Sequence, residues 1–148
     1  MMDDAHGVHD YVYDARNAAI LVSINGELKH RDEATVSVFE SGYLLGDGVW
    51  EGMRVHEGGV AFLDEHLKRL YAGAKTIDMD IGLTPDELTA QLFNCLKTQD
   101  MRDGVHIRLM VTRGVKKTPY QGPRFTITPP TIVIIPEYKS PVPEIQAK

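Results

Sequence analysis

A glycine-rich turn that leads straight into an alternating strand constrains this sequence more than any other feature. Glycines punctuate residues 42–48, and residues 49–56 then alternate in character. Successive side chains of a β-strand leave opposite faces, so the odd-numbered residues should share one face and the even-numbered residues, Trp50 and Arg54 among them, the other. Glu57-Gly58-Gly59 then turns the chain back. The pattern predicts a β-hairpin whose two faces differ.

Other segments also favour β-structure. Residues 19–24 and 27–30 flank Asn25-Gly26, a dipeptide suited to a type I′ turn because both of its central residues need positive φ. Residues 105–112 alternate between apolar and polar side chains, and residues 131–135 form an uninterrupted apolar run that is typical of a central strand.

Two amphipathic helices are predicted between these strands. Asp64 is expected to cap the first, and Thr84-Pro85-Asp86-Glu87 gives the second a capping box with proline at its first position. Their apolar faces should be formed by Leu67, Leu70, Ala74 and Ile77 in the first helix and by Leu88, Leu92, Cys95 and Leu96 in the second. Hairpin strands with two adjacent helices predict an α+β fold, with a mostly antiparallel sheet and both helices packed on one face.

Composition and charge exclude several classes of protein. The net charge of −5 argues against nucleic-acid binding, which usually requires a clustered basic face. The acidic start of the sequence and the short early apolar stretch fit neither a signal peptide nor a membrane span, and the histidines show no paired metal-ligand spacing. A single cysteine suits a reducing compartment. We therefore expect a cytoplasmic protein without metal, nucleic-acid or membrane partners.

Two segments together resemble a known family. Residues 42–54 and the motif Asp64-Glu65-His66-Leu67-Lys68-Arg69-Leu70 are similar to the opening of the fold-type-IV (class IV) pyridoxal-phosphate enzymes. That group includes branched-chain aminotransferases, D-amino-acid aminotransferases and aminodeoxychorismate lyase. The resemblance implies pyridoxal 5′-phosphate as cofactor, amino acids and 2-oxo acids as substrates, and a homodimer or higher homo-oligomer.

The resemblance extends over residues 20–138 and implies a domain organisation. Residues 1–18 would be an extended or disordered lead-in, and residues 19–138 the N-terminal, small domain of the class IV aminotransferases. Residues 139–148 would begin the linker to a second domain that this sequence does not contain.

Arg69 is the candidate cofactor ligand. A planar guanidinium presents a fork of donors suited to a phosphate group. In the matching Glu-His-x-x-Arg-Leu motif of the family this arginine binds the cofactor phosphate. Without the motif, Arg69 would read as an ordinary solvated arginine on a helix.

Four candidate substrate-binding residues fall on the alternating strands. The resemblance places Trp50 and Arg54 at a pocket wall, although a large aromatic side chain is often simply core. Arg108 matches the arginine of the family's Tyr-Ile-Arg, where a cation lies beside a substrate carboxylate, and His106 replaces the aromatic residue of that motif. A solvent-exposed sheet face would also accept Arg108.

Three further residues are candidates because of the positions at which they match the family. Leu45 occupies the place where related enzymes present a tyrosine to the active site of the neighbouring subunit, so either Tyr43 substitutes for it or the pocket is more apolar. Arg124 lies roughly where D-amino-acid aminotransferases keep an arginine that binds a carboxylate. We expect substrate binding by Arg124 as well.

The catalytic lysine is not among these residues. No lysine of this sequence matches the family's position, which falls beyond the final strand and past Lys148. We therefore expect the N-terminal half of an enzyme that transfers an amino group between a branched-chain or D-amino acid, or an amine, and a 2-oxo acid, with the isolated chain inactive. The alternatives are a pyridoxal-phosphate lyase and a non-catalytic binding or dimerisation module on the same fold.

Overall fold

The structure, a computed structural model, describes residues 11–140, and its centre is a six-stranded sheet. The strands are β1 (Leu21–Ile24), β2 (Glu27–His30), β3 (Gly48–His56), β4 (Gly59–Val60), β5 (Val105–Thr112) and β6 (Thr131–Tyr138). Their order is β2-β1-β6-β5-β3-β4, and every pairing is antiparallel. The helices are α1 (Ser41–Leu45), α2 (Leu63–Thr76) and α3 (Pro85–Thr98), with 3-10 helices at Ala15–Ala19 and Pro123–Phe125.

The core lies between one face of this sheet and the two long helices. The odd-numbered residues of β5 are fully buried, as are Met53 and Val55 of β3 and Ile134 of β6. Leu67 and Leu70 of α2, with the buried stripe of α3, close the same layer. The predicted α+β architecture, with both helices on one face, is confirmed.

Helix α3 follows its sequence signals closely. The Thr84 hydroxyl accepts a hydrogen bond from the Glu87 N–H at 3.1 Å, and the Glu87 carboxylate accepts one from the Thr84 N–H at 3.0 Å. The predicted face of Leu88, Leu92, Cys95 and Leu96 is buried. Burial raises the pKa of the Cys95 thiol to about 11, so this cysteine is a structural apolar residue rather than a nucleophile.

Helix α2 begins earlier than predicted. Its N-cap is Phe62, in the left-handed conformation with φ of 54° and without a side-chain cap, so the predicted cap at Asp64 is wrong. Strand β4 is only two residues long, and the helix therefore starts before Asp64. Asp64 and Glu65 lie in the first helical turn, where carboxylates interact favourably with the helix dipole. Ile77 lies at the C-cap and packs against the core from there.

The glycine-rich segment forms helix α1 and the turn after it. Gly46 ends the helix with φ of 65°, a left-handed conformation that glycine adopts without steric cost. A Cβ atom on Gly48 would lie 2.6 Å from the carbonyl oxygen of Val111, so the close approach of β5 requires glycine there. The turn is thereby fitted against the end of β5.

Strand β6 runs three residues past its predicted end. The apolar run that predicted this strand ends at residue 135, and the next residue, Pro136, cannot donate to a sheet ladder. Strand β1 pairs with β6 only at Val133 and Ile134, so β6 is already an edge at Pro136. Asn17, from the segment predicted as an extended lead-in, is buried and bonds Tyr138 twice, donating to its carbonyl at 2.9 Å and accepting from its N–H at 2.7 Å. Residues 1–10 and 141–148 lie outside the described residues.

Arg113 connects the glycine turn to the end of α2. Its guanidinium bonds the Asp47 carboxylate through Nε at 2.6 Å and through Nη2 at 3.2 Å. It also donates to the carbonyls of Ile77 at 2.7 Å and Asp78 at 3.1 Å. Both charged side chains are largely buried, at 11% and 19% exposure. One arginine therefore holds together the turn, the end of β5 and the end of the helix.

We predict that the Arg113→Met variant loses about 3 kcal/mol of the free energy of unfolding, because it leaves the Asp47 carboxylate and two carbonyls without their donor. Urea titration followed by far-UV circular dichroism measures this. Arg102→Met is the matched control, since the Arg102–Asp100 pair is exposed on both sides and such pairs contribute little. Equal losses in the two variants would contradict the assignment.

Candidate functional site

The side chains of Glu51, His66 and Arg69 meet between β3 and α2. Arg69 donates to both carboxylate oxygens of Glu51, through Nε at 2.6 Å and Nη2 at 2.6 Å. Nδ1 of His66, one helical turn before Arg69, lies 2.8 Å from Oε2 of the same carboxylate. The hydrogen bond from Arg69 lowers the pKa of Glu51, and the contact with His66 acts in the same direction. Glu51 is therefore an anion held between two side chains of the helix.

The two ends of this ion pair differ in burial. The Glu51 side chain is 2% exposed, whereas the Arg69 side chain is 73% exposed. Only one edge of the guanidinium faces Glu51, and in the described part of the chain its other N–H groups have no hydrogen-bond partner. Arg69 thus offers an outward-facing set of donors at a fixed place.

The opposite face of the sheet carries a second group. Gly52 of β3 pairs with Arg108 of β5, and Arg54 pairs with His106. The Arg108 guanidinium carbon lies 4.4 Å from the centre of the Trp50 ring. A Cβ atom on Gly52 would lie 3.1 Å from Nε2 of His106, so this glycine makes room for the imidazole. The structure brings together the four predicted residues of the two strands.

Burial, together with the positive charges on this face, keeps His106 neutral at pH 7. Burial lowers the pKa of His106, and the positive charges of Lys139, Arg54 and Arg108 lower it further, against an opposing effect of Glu137. Arg54 donates to the backbone carbonyl of Lys139. Arg108 remains as a cation stacked on Trp50, which is 59% exposed and therefore not a core residue.

The remaining candidates lie elsewhere. Arg124 belongs to the 3-10 helix Pro123–Phe125, where its guanidinium carbon is 4.8 Å from the centre of the Phe125 ring. Tyr43 and Leu45 are on α1, at 76% and 37% exposure. The predicted residues are thus distributed over the helix side, the open sheet face and two connecting segments.

Glu51 and His66 were not among the predicted site residues. The sequence does carry a signal for Glu51. It is the one charged residue among the odd-numbered residues of β3, which face the core and are otherwise apolar. A carboxylate at such a position requires a buried partner. The Glu-His-x-x-Arg motif on the following helix supplies two, with His66 and Arg69 on one helical face.

Residues 11–140 contain no group of three histidine, cysteine or acidic side chains arranged to hold a metal ion. Within the same range, every helix is too short or too polar to cross a bilayer.

Three known proteins illustrate the relationships of the chain. It is 39% identical over 126 residues to the branched-chain-amino-acid aminotransferase-like protein 1 of Arabidopsis thaliana, an alignment covering 85% of this chain and 23% of that protein. It is 41% identical over 93 residues to the D-alanine aminotransferase of Bacillus licheniformis, covering 63% of this chain and 32% of that enzyme. The structure matches the T.th. branched-chain amino acid aminotransferase complexed with N-(5′-phosphopyridoxyl)-L-glutamate with a TM-score of 0.67 at 28% identity, covering 80% of this chain and 40% of that one.

The chain therefore spans less than half the length of each of these proteins. The family described as amino-transferase class IV matches residues 48–148, from the first residue of β3 onward. Both the sequence and the fold of this chain place it in the class IV aminotransferase family.

Proposed function

We propose that this chain is the N-terminal domain of a pyridoxal-phosphate-dependent aminotransferase, which transfers an amino group between an amino acid or amine and a 2-oxo acid. The observation that supports this most directly is Arg69, an exposed guanidinium held along one edge by a buried carboxylate. Membership of the class IV family and the similarity to an enzyme complexed with a phosphopyridoxyl compound support the same function. The amino-acid class, branched-chain or D-amino acid, is part of the proposal.

The residues present fit the phosphate end of the cofactor. The free edge of the exposed Arg69 guanidinium can donate charge-assisted hydrogen bonds to a phosphate while the other edge stays on Glu51. When bound, the cofactor supplies the electron sink for chemistry at the substrate Cα. We propose that the lysine that binds the cofactor covalently is supplied by sequence outside these 148 residues.

The open sheet face fits a substrate carboxylate. Arg108 is a cation whose orientation is fixed by stacking on Trp50, and the neutral His106 beside it can donate or accept a hydrogen bond without adding charge. Arg54 donates a hydrogen bond to the Lys139 carbonyl, so we assign it to the pocket wall and not to direct contact with the substrate carboxylate. Arg124 is proposed as a further carboxylate contact, from the loop between β5 and β6.

We also propose a homodimer formed through the exposed apolar side chains of residues 38–50. The exposed residues are Val38, Phe39, Tyr43, Leu45 and Trp50. Isolated exposed apolar residues are common, but a run of them in one short segment marks a surface for association. A two-fold arrangement would bring the same segment from each subunit to the interface.

The Arg69→Ala variant should bind pyridoxamine 5′-phosphate with a dissociation constant on the order of tenfold to a hundredfold higher, because a charge-assisted contact to the phosphate is lost. Isothermal titration of the protein expressed from its complete reading frame measures this. Lys68→Ala is the matched control, since it removes an exposed positive charge from the residue that directly precedes Arg69 on the same helix. Unchanged affinity in Arg69→Ala would overturn the cofactor assignment.

The Arg108→Leu variant should raise the KM for the 2-oxo acid by about tenfold, since a positioned cation beside the substrate carboxylate is removed. Steady-state kinetics with the oxo acid as the varied substrate test this. Arg102→Leu, which changes an exposed arginine outside the open sheet face, should leave KM unchanged. A fall in kcat alone would show that Arg108 does not bind the ground-state substrate.

The Leu45→Asp variant should reduce self-association, because it places a charge in the apolar segment that we assign to the interface. Sedimentation velocity should give an apparent mass well above 16.5 kDa for the parent chain and a lower one for the variant. Phe62→Asp is the control, since Phe62 is 74% exposed beyond the other end of β3. A monomeric parent chain at high concentration would contradict this interface.

A further inference from the structure

We propose that Glu51 is a positioning residue, whose buried carboxylate holds the guanidinium of Arg69 in the orientation that binds the cofactor phosphate. The inference rests on the proposed function, in which Arg69 is the phosphate ligand. It assigns to a core-facing residue of β3 a part in cofactor binding that the residue performs without touching the cofactor.

The geometry of the pair carries this role. Nε and Nη2 of Arg69 each donate to a different oxygen of Glu51, both at 2.6 Å. A bidentate contact of this kind fixes the plane of the guanidinium as well as its position. Within residues 11–140, Nη1 has no hydrogen-bond partner, and the side chain that carries it is largely exposed.

Arg69 has little else to fix it. Its side chain is 73% exposed, and within residues 11–140 its hydrogen bonds all go to Glu51. A long arginine side chain released from such a contact regains rotamer entropy, which has to be lost again when the phosphate binds.

Glu51 is itself held firmly. It is 2% exposed and lies in the middle of β3, opposite Leu109 of β5. Nδ1 of His66 contacts Oε2, the oxygen that also accepts from Nη2 of Arg69. The lowered pKa of Glu51 keeps this carboxylate ionised at neutral pH. Because Glu51 is fixed in the sheet, its two hydrogen bonds with Arg69 restrict the motion of this exposed side chain of the helix.

Charge and orientation act in opposite directions here. A carboxylate near a phosphate group repels it, so if charge alone mattered, neutralising Glu51 would strengthen cofactor binding. If orientation decides, the same substitution weakens binding. The sign of the effect therefore separates the two mechanisms.

The experiment compares pyridoxamine 5′-phosphate with pyridoxamine, which lacks the phosphate, by isothermal titration of the protein expressed from its complete reading frame. In Glu51→Gln we expect the dissociation constant of the phosphate ester to rise about tenfold and that of pyridoxamine to change less than about twofold, because only the phosphate contact is affected. In an Arg69→Ala background, Glu51→Gln should have no further effect on either ligand.

Two controls protect the interpretation. Glu40→Gln removes another buried carboxylate, one that accepts from the Gly42 N–H at 2.7 Å, and should lower stability without changing the ratio of the two dissociation constants. Glu51→Asp keeps the charge but withdraws the carboxylate by one methylene, and should give an intermediate loss of phosphate-ester affinity. It also tests the proposal if Glu51→Gln fails to fold.

The outcomes separate the two proposals. Weaker phosphate-ester binding in Arg69→Ala with unchanged or tighter binding in Glu51→Gln would overturn the positioning role and leave the proposed function intact. Unchanged binding in Arg69→Ala would overturn the proposed function itself. Equal losses for both ligands in Glu51→Gln, or wild-type binding in Glu51→Asp, would also overturn the positioning role.

Discussion

The register between β3 and β5 is the constraint on which the rest of the structure depends. The two strands pair without interruption along the whole of β5. Because side chains alternate, a slip of one residue would turn Trp50 into the core and expose Met53. The close fit of Gly48 against the neighbouring strand and the ion pair between Arg113 and Asp47 both act at one end of this ladder, where they oppose such a slip.

This register gives β3 two separate tasks. Its odd-numbered side chains include Glu51, which reaches the helices, and its even-numbered side chains include Trp50, which meets Arg108 on the open face. The proposed phosphate ligand and the proposed substrate cation are therefore attached to opposite faces of one strand. A change in backbone position of β3 would move both groups together, whereas a change in a single side chain would affect only one of them.

The sequence predicted those parts of the fold and of the candidate site whose signals are local. The capping box of α3 and the alternation of β5, which puts Arg108 on the face opposite the core, depend on neighbouring residues only, and both are confirmed. The start of α2 was misplaced because the chain enters the helix through a left-handed Phe62, a conformation without a sequence signal in an aromatic residue. The contact between Gly52 and the imidazole of His106 could not be predicted from the sequence. It depends on the register between two strands, which no single segment specifies. The partners of Glu51 could not be predicted either, because they lie on helix α2, beyond the β3–β4 hairpin. The presence of a carboxylate among core-facing residues was visible in the sequence alone.

The burial of Glu51 is not explained by stability. Removing a carboxylate from water costs several kcal/mol, of the order expected for buried ions generally, and this cost is offset at Glu51 by the bonds from Arg69 and the contact with His66. An apolar residue at position 51 would extend the row of Met53 and Val55 and avoid that cost. The depressed pKa means that the stabilisation from the ion pair is present above about pH 4.5, the ordinary pKa of a glutamate, and is lost as the pH falls through the lower folded-state value. Replacing a buried ion pair by well-packed apolar side chains is often neutral or stabilising, so cohesion alone does not call for a carboxylate here. The proposed orientation of Arg69 gives the carboxylate in this core-facing row a function.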